Sequence, residues 1–303
     1  MLQFELKALP GGIGAEVLSL DPESLADPQT GAALRAAWLE HGILLFRDMA
    51  HSPEDLLALS RCFGELEVHP IPRFRLEGYP ELILLTNRDG PTGPVYDFDG
   101  VAIHGRIPWH IDLAFTTTPN AGALLRMVQK TEHGGQTGWL DVALAHDALD
   151  EDTKVEIAGL EAIYHFASDL DQMRFNRQGG TCLTPKREDY PHFPPVAHPL
   201  VWTHPETGRK VLNLSTLNIR GIVGMPQAES DVLIERLLAH AMQPRFQYVH
   251  EWQKDDVMLW DNRRTMHCAF GHPVEEVRIV QRSTLRGGVA MGRVLDEAEA
   301  TPA

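Results

Sequence analysis

The chain has 303 residues, 43% of them hydrophobic, so it can bury a sizeable core in a single unit. Its 42 acidic residues outnumber the 27 basic ones, and the resulting formal net charge of -15 disfavours binding to phosphate backbones and anionic lipid. We therefore expect neither nucleic acid nor a membrane as a partner.

The cysteines and the apolar stretches bear on where the protein works. Cys62, Cys182 and Cys268 are odd in number and widely spread, which favours neither a disulfide framework nor a thiolate zinc site. The amino terminus does not have the pattern of a secretory signal, and no apolar stretch is long enough to span a bilayer. These features predict a cytoplasmic protein.

The amino-terminal part of the chain alternates short strands and helices. Residues 2–20 predict two strands around Gly11-Gly12, and residues 29–40 have helical spacing of alanine and leucine. Ser52 followed by Pro53 predicts the start of a second helix, and Gly64 predicts its end.

Strands outnumber helices in the rest of the chain. Residues 205–208 predict a hairpin turn, and helices are predicted over 142–160 and 229–242. The predicted strands cover residues 82–86, 121–128, 201–204, 210–214, 246–252, 257–260 and 278–285. This pattern favours a mainly β protein with flanking helices, in which an antiparallel double-sheet barrel, a jelly roll, forms the core.

Two stretches rich in glycine, proline and charge predict no regular element. They span residues 87–108 and 167–199. Long irregular segments in a compact enzyme often cover a site, so we expect both to be lid loops. No repeat or low-complexity linker divides the sequence, and we expect one domain over residues 1–303.

A candidate metal site begins at Trp109-His110-Ile111-Asp112. In extended backbone the side chains of His110 and Asp112 lie on the same face, so both can reach one ion. A second histidine from a distant strand would complete a two-histidine, one-carboxylate set, which leaves three adjacent positions open on Fe(II). The alternative is a hydrogen-bonded structural histidine, which is how we interpret His204 in the similar pattern His204-Pro205-Glu206.

The last predicted strand carries two arginines on one face. Arg278 and Arg282 alternate with Ile279 and Gln281, so both guanidinium groups point inward if this face lines the barrel. Buried arginines without anionic partners are costly, which favours a carboxylate-binding pocket or pairing with local acids. The alternative is an edge strand whose arginine face lies in water.

Several spaced motifs together resemble the taurine/2,4-dichlorophenoxyacetate dioxygenase family of Fe(II)/2-oxoglutarate-dependent oxygenases. The likeness covers nearly the whole chain, and motifs in this order are far more specific than any one of them. They are Gly12-Ile13-Gly14-Ala15-Glu16, Leu44-Leu45-Phe46-Arg47-Asp48, Phe63-Gly64-Glu65-Leu66, Trp109-His110-Ile111-Asp112, Gly134-Gly135-Gln136-Thr137, His198-Pro199-Leu200-Val201, Thr203-His204-Pro205 and Trp260-Asp261-Asn262-Arg263.

The resemblance implies roles for five residues. His110, Asp112 and His267 would bind Fe(II), with dioxygen and 2-oxoglutarate as the other reactants. Arg278 would grip the distal carboxylate of 2-oxoglutarate, and Thr137 would assist with its hydroxyl group. We nominate no general acid or base beyond these metal ligands.

Four further positions are candidates for binding the primary substrate. Arg282 and His69 match family residues that lie near the co-substrate or the substrate anion. Arg106 stands where the taurine enzymes carry an amide, and Asn218 stands where they carry an aromatic residue. These departures argue against taurine as the substrate, although Arg106 is consistent with an acidic substrate.

The resemblance implies oxidative decarboxylation of 2-oxoglutarate to succinate, coupled to hydroxylation of a substrate carbon. The leading hypothesis is a small anion such as an aryloxyalkanoate, an alkyl sulfate or a sulfonate, whose hydroxylated product can fall apart. One alternative is a hydroxylase of a free amino acid or a biosynthetic intermediate; another is a barrel that binds metal or ligand without turnover. Relatives commonly form dimers or tetramers, so we expect a homo-oligomer.

Overall fold

The structure is a computed structural model that describes residues 4–69, 72–90, 93–167, 172–175, 179–184, 191–296 and 299. Two large antiparallel-rich sheets dominate it, as the sequence predicts. Parts of the predicted lid loop over residues 167–199 lie outside the described residues.

The larger sheet has eight strands. Its order is β1 (Glu5–Ala8), β2 (Ala15–Leu18), β3 (Ile43–Phe46), β17 (Val257–Asp261), β8 (Gly122–Gln129), β19 (Ile279–Leu285), β5 (Tyr79–Thr86) and β4 (Arg75–Leu76). Strand β19, which begins directly after Arg278 and contains Arg282, therefore lies between β8 and β5. The edge-strand alternative for this segment is wrong.

The second sheet has six strands and carries the two candidate metal-binding histidines. Its order is β11 (Thr181–Cys182), β6 (Val95–Phe98), β7 (Val101–His110), β18 (Thr265–Pro273), β9 (Thr137–Asp141) and β16 (Gln247–His250). Because β7 and β18 are neighbours, residues far apart in the chain meet at the middle of this sheet.

Two small sheets and five α-helices complete the described fold. One small sheet has the order β15 (Ile219–Ile222), β10 (Glu161–Tyr164), β12 (Val196–Pro199) and β20 (Arg293–Val294), and the other is the predicted hairpin of β13 (Val201–Thr203) and β14 (Lys210–Leu212). The helices are α1 (Pro28–His41), α2 (Pro53–Arg61), α3 (Val142–Asp147), α4 (Glu151–Ile157) and α5 (Gln227–Ala241). None of the described helices is long and apolar enough to cross a membrane.

Local capping explains where the helices begin and end. The Ser52 side chain accepts from the Asp55 backbone N–H, and the Asp55 carboxylate accepts from the Ser52 N–H, so a capping box starts α2 as predicted. The single helix predicted over 142–160 is wrong. The Asp150 carboxylate accepts from the Thr153 backbone N–H and starts a new helix, so the segment divides into α3 and α4.

The predicted irregular loop over residues 87–108 is largely a β-hairpin, and that prediction is wrong for its second half. Strands β6 and β7 pair from Val95↔His104 to Phe98↔Val101. Asp99 and Gly100 form the tight turn with positive φ values of 54° and 86°, the backbone that a two-residue hairpin turn of type I′ requires. This hairpin ends at His110 and so places a candidate metal ligand.

The two large sheets face each other across an apolar layer. Leu125, Met258 and Val280 from the larger sheet pack with Trp139 and Tyr248 from the smaller one. Burying a side chain of this kind contributes roughly 1.5 to 3 kcal/mol, so the layer fixes the distance between the sheets. This apolar layer does not extend to the end of the sheets where β7, β18 and β19 bring polar side chains together.

Candidate active site

The three predicted metal ligands meet between the sheets. His110 ends β7 and lies directly opposite His267 of β18, with ring centroids 4.1 Å apart. Asp112 follows two residues later, with its carboxylate oxygens 3.5 Å from His110 Nε2 and 3.7 Å from His267 Nε2. One ligand atom from each residue falls within 4.8 Å of the other two.

Hydrogen bonds outside this group orient two of its members. His110 Nδ1 donates to the Pro108 carbonyl at 2.7 Å, so the lone pair of the neutral ring is on Nε2 and faces the other ligands. Asn262 accepts from the Asp112 backbone N–H at 2.9 Å and donates to its carbonyl at 3.0 Å. The sequence showed Asn262 within a motif but gave no sign of this role.

The charges around Asp112 keep it ionised. Burial tends to raise the pKa of this carboxyl, but the positive charge of Arg282 outweighs it and holds the pKa well below its usual value. The Arg282 guanidinium donates to Asp112 Oδ2 at 2.5 Å. Burial, followed by the proximity of His110, lowers the pKa of His267 well below its usual value, so that imidazole is neutral.

This donor set fits a divalent transition metal. Two imidazoles and one carboxylate on one side of an ion are the ligands that mononuclear non-haem Fe(II) oxygenases use. Among the described residues, His110, Asp112 and His267 are the group of histidine, cysteine or acidic side chains whose ligand atoms lie close enough together to hold one metal ion.

A cavity of about 350 Å³ runs from these residues along β19 and is lined by the predicted co-substrate residues Thr137 and Arg278. Arg278 Nε is buried and has no hydrogen-bond partner among the described residues, and burial lowers the pKa of its guanidinium to about 10. The group is still cationic near neutral pH. We call this cavity the arginine chamber.

Thr137 and Gly135 shape the wall around Arg278. The Thr137 hydroxyl accepts from Trp252 Nε1 at 3.0 Å, which leaves its own hydrogen for another acceptor. Gly135 has a φ of 77°, and a Cβ there would lie 2.7 Å from Thr131 Oγ1 and 3.4 Å from Arg278 Nε. Glycine is therefore required for both the turn and the close approach of the arginine.

Of the four residues predicted to bind the primary substrate, three line a cavity beside the candidate metal ligands and one does not. His69 and Arg282 line both the arginine chamber and a second cavity that adjoins it. Arg106 lines the arginine chamber, with its guanidinium 4.6 Å from the Phe98 ring centre. Asn218 is buried away from both, and its amide donates to the His165 carbonyl at 3.2 Å. Asn218 lines neither cavity because the turn that carries it packs inward beside β10, and its role in substrate binding stays a prediction.

Sequence reasoning missed a second cavity, of about 430 Å³, on the other side of Asp112 and Arg282. Phe115, Phe166 and Phe193 line it, with ring centroids 4.8 to 5.2 Å apart. The three residues are far apart in the chain, so no local pattern signals that they meet. We call this cavity the aromatic chamber.

The other His-x-acid pattern is structural, as predicted. His204 Nε2 lies 2.8 Å from Asp261 Oδ2, and both side chains are fully buried. His204 Nδ1 accepts from the backbone N–H groups of Glu206 and Thr207. The pair thereby ties the β13–β14 hairpin to the end of β17.

Comparison with known proteins gives a consistent set of matches. The family model described as "Taurine catabolism dioxygenase TauD, TfdA family" matches residues 5–284. An (S)-phenoxypropionate/alpha-ketoglutarate-dioxygenase from Sphingobium herbicidovorans is 32% identical over 95% of this chain and 96% of its own length. An alkylsulfatase from Acinetobacter baylyi is 29% identical over 96% of this chain and 87% of its own. The crystal structure of a taurine dioxygenase from Burkholderia xenovorans superposes with a TM-score of 0.76 and 28% identity, covering 98% of this chain and 96% of that one.

Proposed function

Because the chain belongs to the taurine catabolism dioxygenase TauD, TfdA family and is a 2-oxoglutarate-dependent dioxygenase that uses Fe(II) and dioxygen, we propose that it oxidises a small organic anion with an aryl-sized apolar body. The observation that carries the proposal is the aromatic chamber, which adjoins the converged His110, Asp112 and His267. The substrate and the role of each residue are what we propose beyond the family.

In this proposal His110, Asp112 and His267 bind Fe(II). The converging ligand atoms, the neutral His267 imidazole and the ionised Asp112 carboxylate described above support this assignment. When bound, Fe(II) supplies the dioxygen chemistry that couples decarboxylation of 2-oxoglutarate to hydroxylation of a substrate carbon. The protein contributes position: Asn262 and Arg282 hold Asp112 in place, and the sheets exclude water.

Arg278 and Thr137 bind the distal carboxylate of 2-oxoglutarate in this proposal. A carboxylate in the arginine chamber would satisfy the unpartnered Arg278 Nε and accept the hydrogen that Thr137 has left to donate. A guanidinium fork and a hydroxyl together satisfy a carboxylate that has lost its water. This is why we assign the co-substrate, rather than the primary substrate, to this chamber.

The aromatic chamber holds the apolar body of the primary substrate. Its phenylalanine rings are each partly exposed to the cavity, so an aryl group could cover apolar surface that water now contacts. Arg282 and His69 line both cavities and offer the polar end for the anion. Arg106 stays a prediction for a substrate contact.

A substrate panel tests the proposal. Succinate release would be measured with Fe(II), ascorbate and 2-oxoglutarate against aryloxyalkanoates, alkyl sulfates, sulfonates and free amino acids. We expect the highest kcat/KM with aryloxyalkanoates. Turnover confined to taurine would refute an aryl-sized site, and turnover confined to amino acids would favour the hydroxylase alternative.

Replacing one chamber residue tests the assignment directly. We expect Phe193→Ala to raise KM for the best aryl substrate about tenfold, which corresponds to about 1.4 kcal/mol of lost contact. Phe270→Ala is the matched control, because Phe270 is 37% exposed and lines neither chamber. Equal KM values in the two variants would contradict the proposed binding of the aryl group.

Two further predictions, on oligomeric state and on location, accompany this function. We propose a homo-oligomer, dimer or tetramer, which light scattering of the purified protein at micromolar concentration would test.

We also keep the prediction of a cytoplasmic location, which rests on the cysteine usage described above. Fractionation of the source cells would test it.

A further inference from the structure

Two buried histidines in the wall of the arginine chamber take no part in the function proposed above. His104 of β7 and His272 of β18 are paired across the strands, and they are 6% and 3% exposed. His104 Nδ1 lies 3.3 Å from His272 Nε2. Both residues line the chamber together with Arg278.

The Pro273 carbonyl determines which atoms donate and which accept in this pair. His272 Nδ1 lies 3.0 Å from the Pro273 carbonyl, which can only accept, so His272 carries its hydrogen on Nδ1. Its Nε2 is then an acceptor, and His104 Nδ1 must donate to it. In the neutral pair, His104 Nε2 therefore carries a lone pair, and this buried atom has no hydrogen-bond partner among the described residues.

The groups around His104 keep it neutral while the chamber has no anion in it. Burial, followed by the charges of His272 and Arg278, lowers the pKa of His104 to about 4. On the adjoining β6, Val95 pairs with His104 and carries no charge, and Arg106 is the cation that follows on β7. Glu276, the nearest acid to His272, accepts from His133 Nδ1 and from two backbone N–H groups.

An anion bound at Arg278 opposes the electrostatic part of this pKa shift, although not the part that comes from burial. It would neutralise the cation that disfavours an imidazolium at His104, and it would offer an acceptor to a proton on Nε2. A change of tautomer could present the same proton, but it would break the bond from His272 Nδ1 to the Pro273 carbonyl. Uptake of a proton keeps every bond of the pair.

We propose that His104 is a proton-linked binding residue for the distal carboxylate of 2-oxoglutarate. When the carboxylate binds, His104 Nε2 takes one proton from solvent and donates it to a carboxylate oxygen. This inference rests on the proposed role of Arg278. It adds a third contact to those of Arg278 and Thr137, and it makes co-substrate affinity depend on pH.

Calorimetry can count this proton. Titration of 2-oxoglutarate into the anaerobic Fe(II)-loaded protein, in two buffers with different ionisation enthalpies at pH 7, gives the number of protons taken up. We expect close to one proton more for the wild type than for His104→Asn, and an affinity that weakens with rising pH by up to about tenfold per unit. 2-Oxobutyrate, which lacks the distal carboxylate, should show no such difference.

Two further variants keep the test decisive. His272→Leu removes the acceptor for His104 Nδ1, so a neutral His104 can carry its hydrogen on Nε2, and this variant should also lower the proton count. It provides the test if the His104 variant folds poorly. His133→Asn is the control, because His133 is an exposed histidine paired with Glu276 outside the chamber. Equal proton counts for the wild type and the His104 and His272 variants would overturn the inference. Wild-type 2-oxoglutarate affinity in Arg278→Ala would instead overturn the chamber assignment on which it rests.

Discussion

The buried arginines at two ends of the sheets differ in what they contact. In the turn between β17 and β18, Arg264 donates twice to the Asp141 carboxylate, at 2.6 and 2.9 Å, and twice to backbone carbonyls of α1. At the start of β19, Arg278 has no carboxylate partner among the described residues. A buried cation that the protein itself satisfies is part of the architecture, whereas one left unsatisfied at a cavity indicates a ligand of opposite charge.

The largest effect should come from the proposed metal ligands, whose replacement should remove function without unfolding the protein. We expect His267→Ala to abolish succinate formation, because two ligands cannot replace the three that converge on one ion. Fe(II) affinity measured by equilibrium dialysis should fall with it, while circular dichroism stays that of the wild type. His133→Ala is the matched control, and activity retained by His267→Ala would contradict the site.

The architectural arginine should affect stability and little else. Arg264→Ala leaves Asp141, which is 1% exposed, without its cation, and we expect a loss of roughly 3 to 5 kcal/mol in the free energy of unfolding. Urea denaturation would measure it. A variant that unfolds at the same urea concentration as the wild type would contradict an architectural role for Arg264.

The chamber arginine should show the opposite pattern. We expect Arg278→Ala to weaken 2-oxoglutarate binding by roughly 2 to 5 kcal/mol, the cost of leaving a buried charge unpaired, with no comparable loss of stability. Binding measured by calorimetry and unfolding measured in urea give the two numbers. Unchanged 2-oxoglutarate affinity would refute the role, and a large loss of stability would place Arg278 in the same class as Arg264.

The sequence predicted much of this site because its chemistry is local. A histidine and an aspartate two residues apart, and two arginines four apart, share a face whenever the backbone is extended, so His110 with Asp112 and Arg278 with Arg282 needed no tertiary information. Arg282 in β19 and Arg278 directly before this strand both lie on cavity walls. The wider motif series then identified His267 as the distant partner.

The failures of prediction have physical causes of two kinds. Glycine, proline and aspartate predict an irregular segment over residues 87–108, yet Asp99-Gly100 within it is itself a hairpin signal, and strands β6 and β7 pair around it. The aromatic chamber and the His104–His272 pair depend on which distant segments pack together. No periodicity in one sequence encodes that contact.

The pairing of β7 with β18 has a consequence for insertions and deletions. Between the pairs His267↔His110 and Ala269↔Ile107, β7 uses one residue more than β18, so a bulge lies next to the metal ligands. Losing or gaining a residue there would turn His110 to the opposite side of its strand. The exposed tip at Asp99-Gly100 carries no such constraint, so a peptide tag grafted there would leave the ligand geometry untouched.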